Sequence, residues 1–145
     1  MERVKADMKI LVSACLIGEN CKYNGKNNYN PRVAQYLAGK EYLAVCPETL
    51  GGLGVPRNPA ELVNGRAIDD HGNDVDERFR AGVAEALRRI EGEDIELAIL
   101  QSRSPTCGVR QIYDGSFSKR LIDGQGMLAA ALKERGIRLV DAEEV

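Results

Sequence analysis

Four short, almost continuously apolar segments most constrain how this chain can fold. They occupy residues 9–17, 41–48, 95–102 and 137–143, and helix-like or irregular stretches separate them. Apolar runs of this length are typical of strands that are buried on both faces of a parallel sheet. The pattern therefore predicts a three-layer α/β fold of Rossmann-like type, with a mainly parallel sheet and helices on both faces.

Helices are predicted between these strands. Residues 30–39 begin with an Asn-Pro pair and end in glycine, which predicts a short helix. Asp74 and Glu77 form a capping box that predicts the start of a longer amphipathic helix. A last helix is predicted over residues 127–135, where Gly136 ends it.

Length and composition limit the class of protein. With 145 residues, 43% of them hydrophobic and 29% charged, the chain suits a single globular domain over residues 1–145. The net charge of −2 gives no reason to expect nucleic acid as a partner. The apolar runs are too short to span a membrane, and the charged start shows no signal-peptide pattern. We therefore expect a cytoplasmic protein without a membrane partner, whose oligomeric state no pattern encodes.

Three of the four cysteines follow predicted strands. Cys15 and Cys46 each end an apolar run, and Cys107 ends the segment 97–107. The carboxyl ends of parallel strands share one edge of the sheet, and ligands bind at that edge. Cytoplasmic cysteines are usually reduced, so three converging thiols predict a metal site or catalytic thiols.

Three long segments rich in glycine and proline leave from the same predicted edge. They comprise residues 18–30, 49–73 and 103–126. Long loops without secondary structure are usually functional in a compact domain. The loops and the thiols therefore predict the same site.

The residue pattern leaves several roles open for the cysteines. Structural zinc usually takes close cysteine pairs, often with histidine. Here five residues separate Cys15 from Cys21, and the one histidine, His71, lies in a turn-like stretch. A cysteine nucleophile needs a nearby base, which only His71 offers. Thiolates alone suit an iron–sulfur cluster, and a free cysteine can also be a small buried apolar residue.

Four segments resemble the bacterial thiouracil desulfurase family over almost the whole chain. They are residues 10–25, 45–61, 100–117 and 124–137, and they include the blocks SACLIGENCKYNG, CPETLGG and SRSPTCG. The resemblance implies a cytoplasmic enzyme that depends on an oxygen-sensitive [4Fe-4S] cluster. Its implied reaction is the non-redox conversion of a thiolated pyrimidine, such as 2-thiouracil, into the oxo base and sulfide.

The resemblance also implies roles for individual residues. Cys15, Cys46 and Cys107 would hold the cluster, and the substrate sulfur would bind at the iron that has no protein ligand. Glu48 would be the catalytic acid and base, with Ser104 assisting beside it. The alternative to these catalytic roles is structural. A glutamate at a strand end is usually solvated, and a serine before proline usually shapes a turn. The family cluster needs three thiolates, so the role of Cys21 stays open.

Two other classes of function remain as alternatives. One is a non-enzymatic iron–sulfur or zinc-binding module, and the other is a zinc-dependent hydrolase that uses the same cysteines. Asn24 and Gln101 depart from the family pattern, where aspartate and lysine are expected, and Asn24 is expected at the mouth of the site. Three arginines in the same loops are candidates to balance thiolate charge or to pair with the catalytic carboxylate: Arg57, Arg103 and Arg110.

Overall fold

A four-stranded parallel sheet lies at the centre of the computed structural model, which describes residues 8–145. In chain order the elements are β1 (Met8–Ser13), α1 (Pro31–Leu37), β2 (Tyr42–Val45), α2 (Pro47–Leu50), β3 (Ala60–Val63), β4 (Arg66–Asp69), α3 (Asp76–Arg89), β5 (Asp94–Leu100), β6 (Gln111–Tyr113), β7 (Leu121–Asp123), α4 (Met127–Glu134) and β8 (Arg138–Asp141). The strand order is β2-β1-β5-β8, and every pairing in this sheet is parallel. All four predicted strands are thus present.

Helices cover both faces of the sheet. Successive side chains of a strand point to opposite faces, so one strand packs in both cores. Ile10 and Val12 of β1 pack in the same core as Val33 and Leu37 of α1. Leu11, between them in sequence, packs in the opposite core with buried residues of α3 and α4. The three-layer α/β architecture predicted from the apolar runs is confirmed.

The long helix starts one residue later than the predicted cap at Asp74 implies, although Asp74 Oδ1 does accept the Asp76 N–H at 2.9 Å. Helix α3 begins at Asp76, and its N-cap residue is Val75, whose side chain makes no capping bond. The reason is that the preceding chain is still held to β4. The Val75 N–H donates to the Ala67 carbonyl at 2.9 Å, and Asp74 forms a β-bridge with Ile68.

Two hairpins occupy the long segments that follow β2 and β5. Strands β3 and β4 pair within residues 49–73, where a loop or short strand pairs were predicted. Strands β6 and β7 pair within 103–126, which was predicted as a loop, so that prediction is wrong for these residues. None of the helices within residues 8–145 is long and apolar enough to cross a membrane. Residues 1–7, on which the signal-peptide expectation rests, lie outside the described part.

Candidate active site

A cavity of about 640 Å³ opens at the carboxyl edge of the sheet. Its wall is built from the three long segments that the sequence analysis places at this edge. The wall includes every cysteine and both predicted catalytic residues: Cys15, Cys21, Cys46, Cys107, Glu48 and Ser104. A smaller cavity of about 350 Å³ is lined by Met8, residues 90–95, Arg135 and Ile137, and none of these residues is a cysteine. The predicted residues are therefore gathered at one place.

Two of the thiols are placed directly by the sheet. Cys15 lies in a 3-10 turn just after β1, and Cys46 is the N-cap residue of α2 just after β2. Strands β1 and β2 are neighbours in parallel register, with Ser13 opposite Val45, so the two cysteines emerge side by side. The Asn28 side-chain amide donates to the Cys15 sulfur at 3.4 Å.

Cys107 reaches the cavity by a different route from the predicted one. Strand β5 ends at Leu100, so Cys107 does not end the strand. Helix α4 places it instead, because the Leu128 N–H donates to the Thr106 carbonyl at 2.8 Å. A Cβ at Gly126 would lie 2.4 Å from the Thr106 carbonyl carbon, so only glycine permits this contact.

Cys21 is a fourth thiol within the same group. Interaction with the Cys21 thiol lowers the pKa of Cys15 and that of Cys46, the latter to about 5, and raises the pKa of Cys21 itself. Burial raises the pKa of the Cys107 thiol to about 12. The sequence left the role of Cys21 open, and the structure places it against two of the proposed ligands.

The spacing of the thiols is wide for a single zinc ion. Among residues 8–145, no three cysteine sulfurs all lie within 4.8 Å of one another. Around a tetrahedral zinc, with Zn–S bonds of about 2.3 Å, the sulfurs would be about 4 Å apart. Within the described residues, no three of the thiols are therefore already arranged around a lone tetrahedral ion.

Glu48 is a largely buried carboxylate in this cavity, whereas a glutamate at a strand end is usually solvated. It lies in the first turn of α2, and its side chain is 15% exposed. Burial raises its pKa, and the neighbouring Arg57 guanidinium opposes that effect. Arg57 Nε donates to Glu48 Oε1 at 3.1 Å, and its Nη2 donates to the Cys21 carbonyl at 2.8 Å. Arg57 therefore holds the carboxylate and the Cys21 loop together.

Thr106 lies between Ser104 and Glu48 and was missed by the sequence analysis. Ser104 Oγ accepts hydrogen bonds from the N–H groups of Thr106 at 3.1 Å and Cys107 at 3.0 Å. With both acceptor positions used, the Ser104 hydroxyl donates to Thr106 Oγ1, 3.0 Å away. Thr106 in turn donates to Glu48 Oε2 at 3.3 Å. The available signal was a second hydroxyl residue inside the SRSPTCG block.

Two glycines allow α2, the helix that carries Glu48, to pack closely against α3. A Cβ at Gly82 of α3 would lie 1.7 Å from the Pro47 carbonyl oxygen. A Cβ at Gly51, just after α2, would lie 1.9 Å from the Arg78 carbonyl oxygen. Backbone therefore packs on backbone between α2 and α3, and this contact fixes the position of Glu48.

The three candidate arginines have different partners. Arg57 is the one that pairs with the predicted catalytic carboxylate. Arg103 lines the cavity, but its guanidinium donates to Glu143 at 2.9 Å. Arg110 pairs with Glu144 near the carboxyl terminus. Of the three, only Arg57 is paired with Glu48.

The residues that depart from the family pattern lie in different places. Gln101 lines the cavity. Asn24, expected at its mouth, is absent from the described cavity wall and instead accepts a hydrogen bond from the Lys26 N–H at 3.0 Å. His71 is exposed and contacts Asp70 at 2.8 Å, as expected for a turn residue.

Comparison with known proteins points to one family. A family model described as 2-thiouracil desulfurase matches residues 10–144. The uncharacterized protein YbbK of Bacillus subtilis (strain 168) is 36% identical over 146 residues, which cover 94% of this chain and 97% of that protein. The solved structure of the [4Fe-4S]-dependent thiouracil desulfidase TudS matches with a TM-score of 0.86 at 35% identity. The match covers 95% of this chain and 93% of that one.

Proposed function

Because the chain belongs to the 2-thiouracil desulfurase family, we propose that it removes sulfur from a thiolated pyrimidine such as 2-thiouracil. One water is consumed, the C=S group becomes C=O, and sulfide is released without net oxidation or reduction. The chain is an enzyme of the same kind as its structural neighbour, and a [4Fe-4S] cluster is its cofactor. Its partner is then a small-molecule thiolated base.

The residues of the cavity fit such a cluster. Cys15, Cys46 and Cys107 are the proposed ligands, because the sheet and α4 bring them to one wall. The thiols of all four cysteines line this wall, and the sole histidine is exposed and does not line the cavity. When bound, the cluster supplies a thiophilic Lewis acid for a thiocarbonyl sulfur. The family and the [4Fe-4S]-dependent structural neighbour favour this cofactor over the zinc alternatives.

Glu48 is the proposed acid and base. Its burial favours the neutral carboxyl and raises its pKa, which suits a residue that both accepts and returns a proton. The carboxylate takes a proton from the attacking water and delivers a proton to the pyrimidine ring. Arg57 and Thr106 each hold one carboxylate oxygen, so the group is oriented before substrate binds.

Ser104 acts through Thr106 in this proposal. Its hydroxyl proton is directed at Thr106 Oγ1, and its oxygen is held by two backbone N–H groups. Ser104 therefore supports the orientation of Glu48 across one intervening hydroxyl. The observation that carries the proposed function is the buried, doubly held Glu48 in the cavity that all the thiols line.

The direct test is Glu48→Gln in protein that has been reconstituted with iron and sulfide under anaerobic conditions. We expect sulfide release from 2-thiouracil to fall by at least about 100-fold, as for the loss of a general acid or base. Iron content should equal that of the wild type, since the substitution leaves every thiol in place. Glu134→Gln, on the exposed end of α4, is the matched control. A cluster-loaded wild type that releases no sulfide, or a fully active Glu48→Gln variant, would contradict the proposal.

A further inference from the structure

Phe117 stands at the mouth of the cavity in an unfavourable backbone conformation. Its φ angle is 58°, in the left-handed region that bulky side chains rarely adopt. The side chain lines the cavity, and the residue is 38% exposed. Such backbone outliers persist where the surrounding structure enforces them, and they cluster at functional sites.

Neighbouring residues hold Phe117 in this conformation. Glu61 Oε1, on β3, accepts the N–H of Gly115 at 3.0 Å and that of Phe117 at 3.1 Å. Gly115 has a φ of 92°, and a Cβ there would lie 2.7 Å from the Leu62 carbonyl oxygen. The Glu61 carboxylate (the Glu61 clamp) and the close backbone contact at Gly115 therefore hold the turn between β6 and β7 against β3.

The exposed aromatic residues of this cavity take part in none of the proposed proton transfers. Phe117 and Tyr23 belong to the small set of exposed large apolar residues within 8–145, and both line this cavity. An aromatic face binds the π-face of a nucleobase by stacking, whatever the ring substituents are. Both aromatic residues line the same cavity as Glu48, so a pyrimidine bound there can contact them.

We infer that Phe117 is a stacking platform that binds the flat ring of the substrate and selects aromatic thiocarbonyl compounds over non-aromatic ones. This inference rests on the proposed function and adds a specificity-determining residue to it. Glu61 holds the backbone at Phe117 in place through the Phe117 N–H. Stacking contributes to binding of the ring and not to proton transfer, so its loss affects KM and leaves kcat almost unchanged.

The test compares Phe117→Leu, Phe117→Ala and Phe117→Tyr in the cluster-loaded enzyme. We expect KM for 2-thiouracil to rise about tenfold or more in the leucine and alanine variants, with kcat within about twofold of wild type. Phe117→Tyr, which keeps the aromatic face, should keep the wild-type KM. Ile122→Ala, an exposed residue of the same hairpin that is not part of the cavity wall, is the control. Phe117→Leu decides the outcome if the alanine variant does not fold.

A pair of inhibitors tests selection for an aromatic ring. Uracil should inhibit the wild type more strongly than 5,6-dihydrouracil, whose ring is not aromatic, and Phe117→Leu should remove that difference. An unchanged KM in both the leucine and alanine variants, or equal inhibition of the wild type by the two compounds, would overturn the inference. Either result would leave the proposed function intact, which fails only if the cluster-loaded wild type releases no sulfide.

Discussion

At the scale of single residues, the proposed catalytic carboxylate of Glu48 is oriented by a hydroxyl that does not itself ionise. Thr106 is almost fully buried, and its Oγ1 joins Ser104 to Glu48. Thr106→Val keeps the shape of the side chain but leaves the Ser104 proton and one carboxylate oxygen without a partner. Because a hydrogen bond to a charged group is worth about 1.5–3 kcal/mol, we expect kcat to fall by about 10- to 100-fold.

A serine variant at position 106 tests the effect of the hydroxyl separately from the effect of side-chain shape. Thr106→Ser retains the hydroxyl, so its kcat should be close to that of the wild type. Both variants are compared by initial rates of sulfide release and by iron content after anaerobic reconstitution. A valine variant with the wild-type kcat would show that Glu48 is oriented by Arg57 alone.

At the scale of elements, the contact between α2 and α3 decides where Glu48 lies. In an ordinary helix interior, alanine is more favourable than glycine by about 1 kcal/mol. In Gly82→Ala the added Cβ would meet the Pro47 carbonyl oxygen at 1.7 Å, so the two helices would have to move apart. We expect the free energy of unfolding to decrease by about 1–3 kcal/mol, the usual range for overpacking.

Gly54 offers the matched control for this substitution. A Cβ at Gly54 would have no atom within 4 Å, so Gly54→Ala should leave stability almost unchanged. The two variants are compared by urea unfolding of the cluster-loaded protein under anaerobic conditions. A Gly82→Ala variant as stable as the wild type would mean that α2 can shift without cost.

The elements that could be predicted are those with a strong periodic signal. Long apolar runs identified the four sheet strands because each is buried against helices on both faces. The hairpin of β6 and β7 could not be identified in this way, because its strands have only three residues each. These strands depend on tertiary contacts, such as the Glu61 clamp, that leave no local pattern in the sequence.

At the scale of the whole molecule, topology brings distant cysteines together. Cys15 and Cys46 could be predicted because adjacent parallel strands end beside each other. Cys107 lines the same cavity as predicted, but the docking of α4 places it there and not the strand end. The positions of Cys21 and Thr106 depend on loop conformation, which single-sequence patterns do not encode. The sequence therefore predicted which side chains meet better than it predicted how they are held.

We propose that three of the four cysteines are cluster ligands and that Cys21 is not. Replacing each cysteine in turn tests this proposal. Cys15, Cys46 and Cys107 are fixed by the sheet, by α2 and by α4, whereas Cys21 lies in a loop that Arg57 fastens through its carbonyl. We expect about four irons per chain in the wild type and in Cys21→Ser after anaerobic reconstitution. Serine at any of the other three positions should abolish the stable cluster, as measured by iron and sulfide content and by the visible absorption spectrum. Loss of iron in Cys21→Ser would make Cys21 a ligand, and the iron proposed to bind the substrate sulfur would then not be open.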